Sequence, residues 1–241
     1  KWLTKPDAPL AFRPDVWSWS KVKWIAGFLG ATLTNTYDYN TRKTIQYSLR
    51  SRNLMYELIE QIDIKFHQQD CGILHIYKNQ KSWDKARKTL DKFKNSDWGR
   101  VEEKSNLTEK YNIVSDNIIG ATITKEDGVG DIHEFCLKLH EYMIKNFDYE
   151  LIKQKVTKAD LIELQKSYDE VIVCAGAYTP QFLPQLNIYP IKGYSITYDL
   201  VENAPTVSIL DDDKKIVAST FANNVFRVAG TAELAGWDHK L

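Results

Sequence analysis

A chain of 241 residues has room for one large domain or two smaller ones with a substantial core. Its 43% hydrophobic and 12% aromatic content excludes a disordered polypeptide. The balance of 32 Lys+Arg against 32 Asp+Glu excludes a general nucleic-acid binder, which needs surplus cations for phosphates.

Taken in order, Lys5-Pro6-Asp7-Ala8-Pro9 and Arg13-Pro14 predict an extended, turn-rich start. Asp15 is a helix cap for an aromatic helix over 16–29 carrying Trp17, Trp19, Trp24 and Phe28, which suits packing on a neighbouring domain or docking at a membrane surface. A long helical pattern runs over 37–64, with Ile45, Leu49, Leu58, Ile59 and Ile62 as anchors. A strand is expected at 72–77, a helix capped by Ser82 from Trp83 to Phe93, and a short helix over 102–111. The lysine-dense stretch 78–94 contains Asp84 and Asp91 and reads as a solvated helix face.

Ile118 to Thr124 is strand-like, and Gly130-Asp131 opens a helix with Ile132, Phe135, Cys136, Leu139, Tyr142 and Met143 on one face. Tyr149–Val156 and Leu161–Leu164 read as strands joined by a turn through Lys158-Ala159-Asp160. Val171-Ile172-Val173-Cys174 is a continuously apolar run of the kind buried on both faces of a parallel sheet, with Cys174 as a small core residue. Ala175-Gly176-Ala177 follows it, small enough for a ligand or a backbone to approach closely. Beyond Tyr189 the pattern is β: 194–200, 206–210, 215–220 and 225–229.

Cys71, Cys136 and Cys174 are widely spaced and form no C-x-x-C, which excludes a zinc ribbon or redox pair and points to a reduced, cytoplasmic compartment. No run reaches the ~18 apolar residues of a membrane span, and no signal peptide is visible. His133 and His140 are spaced wrongly for a metalloprotease helix, and no metal site is expected. G-x-S-x-G and G-x-x-x-x-G-K-[ST] are absent, and Asp211-Asp212-Asp213, followed at once by Lys214-Lys215, reads as a charged hairpin turn. Gly128-Val129-Gly130 fails as a dinucleotide fingerprint because its third position is His133. Lys192 and Arg227 are candidates for binding a carboxylate.

Tyr189-Pro190-Ile191-Lys192-Gly193-Tyr194-Ser195-Ile196-Thr197 and Arg227-Val228-Ala229-Gly230-Thr231-Ala232-Glu233-Leu234 resemble motifs of the small-subunit type of D-amino acid dehydrogenase. That group belongs to the D-amino acid oxidase superfamily of FAD-dependent oxidoreductases. Asp169–Thr179, Gly130-Asp131 and Gly72–Tyr77 are similar to further pieces of the same family, in the same order. The resemblance implies an α+β fold with an α/β part: a partial flavin-binding domain plus an antiparallel substrate-domain sheet. It assigns 1–67 to helices beside the flavin domain, 68–128 to the first substrate part, 129–188 to the flavin domain and 189–241 to the substrate sheet.

The resemblance also implies FAD as cofactor, with Val156 on the adenine side and Ala175, Gly176 and Ala177 against the dinucleotide. It implies a small D-amino acid as substrate near Tyr194 and Arg227, oxidised to an imino acid, with electrons passing to a quinone. Peripheral association with the inner face of a bacterial inner membrane goes with that. The family's G-x-G-x-x-G segment has no counterpart here. The chain starts at Lys1-Trp2-Leu3 without methionine, and the expectation is that both ends are cut from something longer. Two readings therefore stand: a D-amino acid dehydrogenase, or a non-catalytic piece or subunit of a split flavoenzyme. The second holds FAD only with a partner chain, and exposed edges would favour such a partner or a homo-oligomer.

Overall fold

A computed structural model describes residues 10–13, 15–34, 36–92, 100–102, 104–114, 116–199, 202–222 and 224–240. The proline-rich start at 5–9, Pro14, Phe93, Leu200 and Asn223 lie outside the described residues. The chain forms two compact units, each assembled from three separate stretches of sequence.

The first unit comprises the strand at 10–11 together with 64–141 and 193–233. It is built on an eight-stranded sheet: β1 (Leu10–Phe12), β2 (Ile73–Tyr77), β3 (Arg100–Glu102), β4 (Gly120–Thr124), β5 (Lys192–Asp199), β6 (Ser208–Asp211), β7 (Ile216–Phe221) and β8 (Val225–Leu234). The order across the sheet is β1-β8-β7-β6-β2-β4-β3, and β5 also pairs with β8. β2 runs antiparallel to β4 but parallel to β6, with Leu74 opposite Ile209 and Ile76 opposite Asp211.

Strand alternation decides which side of this sheet is core. Leu74 and Ile76 on β2, with Ala121 and Ile123 beside them on β4, face a cluster completed by Leu107, Tyr111, Ile113, Ile118 and Val207. Leu74 is wholly buried. The opposite face carries His75, Tyr77, Gly120 and Thr122, and Trp83 lies over it. A Cβ at Gly120 would stand 2.4 Å from the Trp83 ring, so glycine is what lets that indole sit flat on the sheet. Trp83 belongs to α3 (Gln80–Lys92), which begins earlier than the expected Ser82 cap. Asn79 caps it instead by accepting from the Lys81 amide, and Ser82 donates its hydroxyl to Asp213. α4 (Lys104–Tyr111) contributes Leu107 and Tyr111 to the core. α5 (Ile132–Asn146) opens as expected at Asp131, whose carboxylate accepts from the amides of His133 and Glu134. Its Phe135 meets Phe66 edge-on at 5.1 Å.

The second unit comprises 12–63, 142–192 and 234–240. It holds α1 (Trp19–Leu33), α2 (Thr36–Ile62) and α6 (Lys158–Ser167). The cap of α1 is Ser18, not Asp15; Asp15 is paired with Arg13 at 2.7 Å. Lys21, 1% exposed, turns back under the helix and donates to the carbonyls of Arg13 and Val16 at 2.6 and 3.1 Å. Trp24 stacks on Phe28 and also touches Tyr189.

Three strand expectations are overturned in this unit. Leu161–Leu164 is helix, not strand, because Thr157 and Asp160 form a reciprocal capping box that starts α6 at Lys158. Tyr149–Val156 and Val171–Cys174 enter no ladder among the described residues. Their side chains follow: Ile172 is 84% exposed, and Leu151, Ile152 and Cys174 are also exposed. Cys174 is therefore not a core residue. A continuous apolar run selects a buried strand only when neighbours pair with both of its edges.

Candidate cofactor and substrate residues

The residues expected to face a dinucleotide all belong to the second unit. Ala175, Gly176 and Ala177 lie at the start of a short 3-10 helix over Gly176–Gln181, with Ala175 as its N-cap. Gly176 has φ +52, a conformation costly for any residue with a Cβ. A Cβ placed there would meet nothing within 4 Å, so the backbone of this turn borders open space. Val156 is an exposed apolar residue just ahead of the α6 capping box. Tyr178 follows the turn and stacks on Trp237 at 4.3 Å, with both rings about half exposed. Sequence reasoning passed over that pair because its partners lie far apart in the chain.

The residues expected at the substrate belong to the first unit. Arg227 on β8 is exposed, and its Nη2 donates to Ser195 Oγ on β5 at 2.8 Å. That bond puts Arg227 and Ser195 on one face of the β5–β8 pair. Tyr194, adjacent to Ser195, then points to the other face. The structure thus separates Tyr194 from Arg227. Lys192, the other carboxylate candidate, is in the second unit and donates there to the carbonyl of Lys240. Ser195 was not singled out from sequence, because its contact with Arg227 depends on the pairing of β5 with β8.

Among the described residues, no cluster of three or more His, Cys, Asp or Glu is arranged to hold a metal ion, and no helix is long and apolar enough to cross a membrane.

Against models of protein families, residues 17–241 match the FAD dependent oxidoreductase model. The chain belongs to the FAD dependent oxidoreductase family. Among curated relatives of this family member, D-amino acid dehydrogenase 3 of Mesorhizobium japonicum is 31% identical over 98% of this chain, and the D-amino acid dehydrogenase of Vibrio atlanticus 26% identical over 99%. The chain spans 62% of the length of each of these relatives. Among solved structures, glycine oxidase from Geobacillus kaustophilus superposes with TM-score 0.64 at 14% identity, covering 80% of this chain and 57% of that one. Iminodiacetate oxidase from a Chelativorans species superposes with TM-score 0.57 at 16% identity, covering 80% of this chain and 58% of that one. At such identities the likeness establishes the fold, which is the α+β fold of these flavoenzymes.

Gly176 borders open space and Val156 is an exposed apolar residue, so neither position is blocked from a dinucleotide. The 241 residues contain no G-x-G-x-x-G to grip the pyrophosphate.

Proposed function

We propose that this chain serves in the FAD-dependent oxidation of D-amino acids to imino acids, which hydrolyse to 2-oxo acids and ammonia. The observation that carries this reading is the run of D-amino acid dehydrogenases matched over nearly the whole chain. In the second unit, Ala175, Gly176, Ala177 and Val156 would lie against the dinucleotide. FAD, when bound, supplies the acceptor for the hydride that leaves the substrate Cα. In the first unit, the Arg227 guanidinium offers a fork matched to the substrate carboxylate, and Ser195 Oγ fixes its orientation. Tyr194 is the second substrate residue of the proposal. Electrons leave to a quinone at the membrane surface.

The first test titrates the purified chain with FAD and follows the visible flavin spectrum. Binding in proportion to protein, with bleaching by D-alanine under anaerobic conditions, is the expected outcome; a spectrum of free flavin throughout overturns catalysis by this chain alone. Tyr194 and Arg227 are then separated by calorimetric titration with D-alanine. If the Arg227 face receives the carboxylate, Arg227→Lys weakens binding about 10-fold or more, as loss of a bidentate charge-assisted contact does, and Tyr194→Phe leaves it nearly unchanged. The reverse pattern moves the substrate to the Tyr194 face. Faster reduction of a soluble quinone analogue than of oxygen tests the acceptor.

A second reading, in which the chain holds FAD only together with another polypeptide, is favoured by one observation. The segments over 151–156 and 171–174 carry exposed apolar side chains and enter no ladder among the described residues. Sedimentation velocity tests it: a monomer that binds FAD stoichiometrically overturns this reading, and a chain that self-associates and binds none supports it.

A further inference from the structure

α1 is anchored along one side only. Lys21 and Trp24 share that side, Lys21 buried and Trp24 packed on Phe28 and Tyr189. Trp19, Ala26, Leu29 and Leu33 recur at i, i+7, i+10 and i+14, and so line the opposite face over about 21 Å. There Trp19 is 79%, Leu29 52% and Leu33 85% exposed. α2 packs against α1, and none of its 27 residues is buried. Its first half adds the exposed rings of Tyr37, Tyr39 and Tyr47.

A contiguous apolar face in water marks a docking surface, and its composition says what docks there. Over 16–56, Lys21, Lys23, Arg42, Lys43, Arg50 and Arg52 stand against Asp38 alone, in a chain whose formal net charge is zero. The excess of cations is therefore local to this pair of helices. Lys23 is exposed one turn from Trp19 on the apolar face, and Lys43 Nζ stands 5.9 Å from the Tyr39 ring centroid. Trp and Tyr have an apolar body and a polar edge, and Lys or Arg lays its stem along apolar surface while its charge stays wet. That mixture suits the headgroup layer of a bilayer, whose anionic lipids attract the cations. A second copy would bring the same cations against these, and a protein core would bury them without carboxylates.

We propose that the outer face of α1 and the first half of α2 dock on an anionic phospholipid surface. Trp19, Leu29 and Leu33 enter the headgroup layer, and Lys23, Arg42 and Lys43 meet lipid phosphates. At 15 residues α1 is too short to span a bilayer, so it lies along the interface.

For its purpose this docking rests on the quinone acceptor proposed above, because a quinone dissolved in lipid is reached only by a protein held at the membrane. Lipid binding itself is measured without FAD, so the docking and the flavin chemistry fail separately.

Flotation of the purified chain with vesicles tests the docking, using phosphatidylglycerol and phosphatidylcholine in equal parts beside phosphatidylcholine alone. The wild type should float with the anionic vesicles at low salt and lose most of that binding at high salt or on the neutral ones. Arg42→Glu combined with Lys43→Glu should weaken anionic binding at least about 30-fold, as removal of two surface cations does. Trp19→Ser combined with Leu33→Ser should weaken it at least about 10-fold. Ile172→Ser, which removes an equally exposed apolar side chain outside α1 and α2, should bind as the wild type does. A wild type that never floats overturns the proposal without any variant having to fold, and equal loss in Ile172→Ser overturns it too. Self-association that Trp19→Ser with Leu33→Ser abolishes, in a chain that binds no lipid, gives the face to a second copy instead.

Discussion

Lys21 offers the sharpest test of how the second unit is held together. It is among the largest fully buried side chains, and its ammonium sits 4.2 Å from the Phe12 ring centroid while donating to two carbonyls. Desolvation pushes its pKa down from the ordinary lysine value, with Asp15 pulling the other way. Lys21→Met keeps most of the stem and removes the charge. Two charge-assisted bonds at about 1.5–3 kcal/mol each are lost, and the several kcal/mol spent in burying the ammonium are recovered. The Arg13 oxygen also keeps a bond from the Val16 amide at 3.2 Å. The expected net loss is about 2 kcal/mol. Lys21→Ala removes the buried methylenes too and should cost about 2 kcal/mol more, at roughly 0.8 kcal/mol per CH₂. Urea denaturation followed by tryptophan fluorescence measures both, because Trp17, Trp19 and Trp24 flank the site. A methionine variant within about 0.5 kcal/mol of the parent, the range of ordinary surface changes, would refute the view that the ammonium anchors α1.

Two further outcomes follow from the geometry. Thr157→Ala removes one half of the capping box and should destabilise α6 by about 1 kcal/mol, visible as faster amide exchange over 158–167 with little change elsewhere. Burial pushes the Tyr77 hydroxyl up to about 12. A raised folded-state value means stability that is complete below the ordinary tyrosine value of about 10 and lost as pH rises toward 12, on the order of 2–3 kcal/mol in all. Tyr77→Phe should flatten that alkaline loss in denaturation curves taken between pH 9 and 12.

Much of the fold was legible because its signals are local. The 3.6-residue spacing along α2, the Asp131 cap of α5 and the turn residues between β6, β7 and β8 act within a few positions of themselves. The errors came where a local pattern needed a distant partner. Val171–Cys174 carries the composition of a buried strand, yet it pairs with no strand among the described residues. The T-x-x-D box at Thr157 was a local signal, but the β-branched and apolar content of 149–156 and 161–164 concealed it. At the candidate site, the small-residue turn could be read from Ala175-Gly176-Ala177. The Arg227–Ser195 contact and the separation of Tyr194 from Arg227 required the β5–β8 pairing, which spans some thirty residues.

The threefold interleaving of each unit bears on how the chain reaches its native state. The first unit cannot complete its sheet until 193–233 has been synthesised, since β6 must join β2 across roughly 135 residues. During synthesis, β2 and β4 therefore wait with an open edge while the intervening helices emerge, a state that invites misassembly. Pairings so remote in sequence also make for slow refolding. Neither unit corresponds to a contiguous stretch of coding sequence, so neither is obtained by simple truncation. A single cut between residues 141 and 142 would leave two pieces that each hold parts of both units, and the useful protein for dissection is the uncut one.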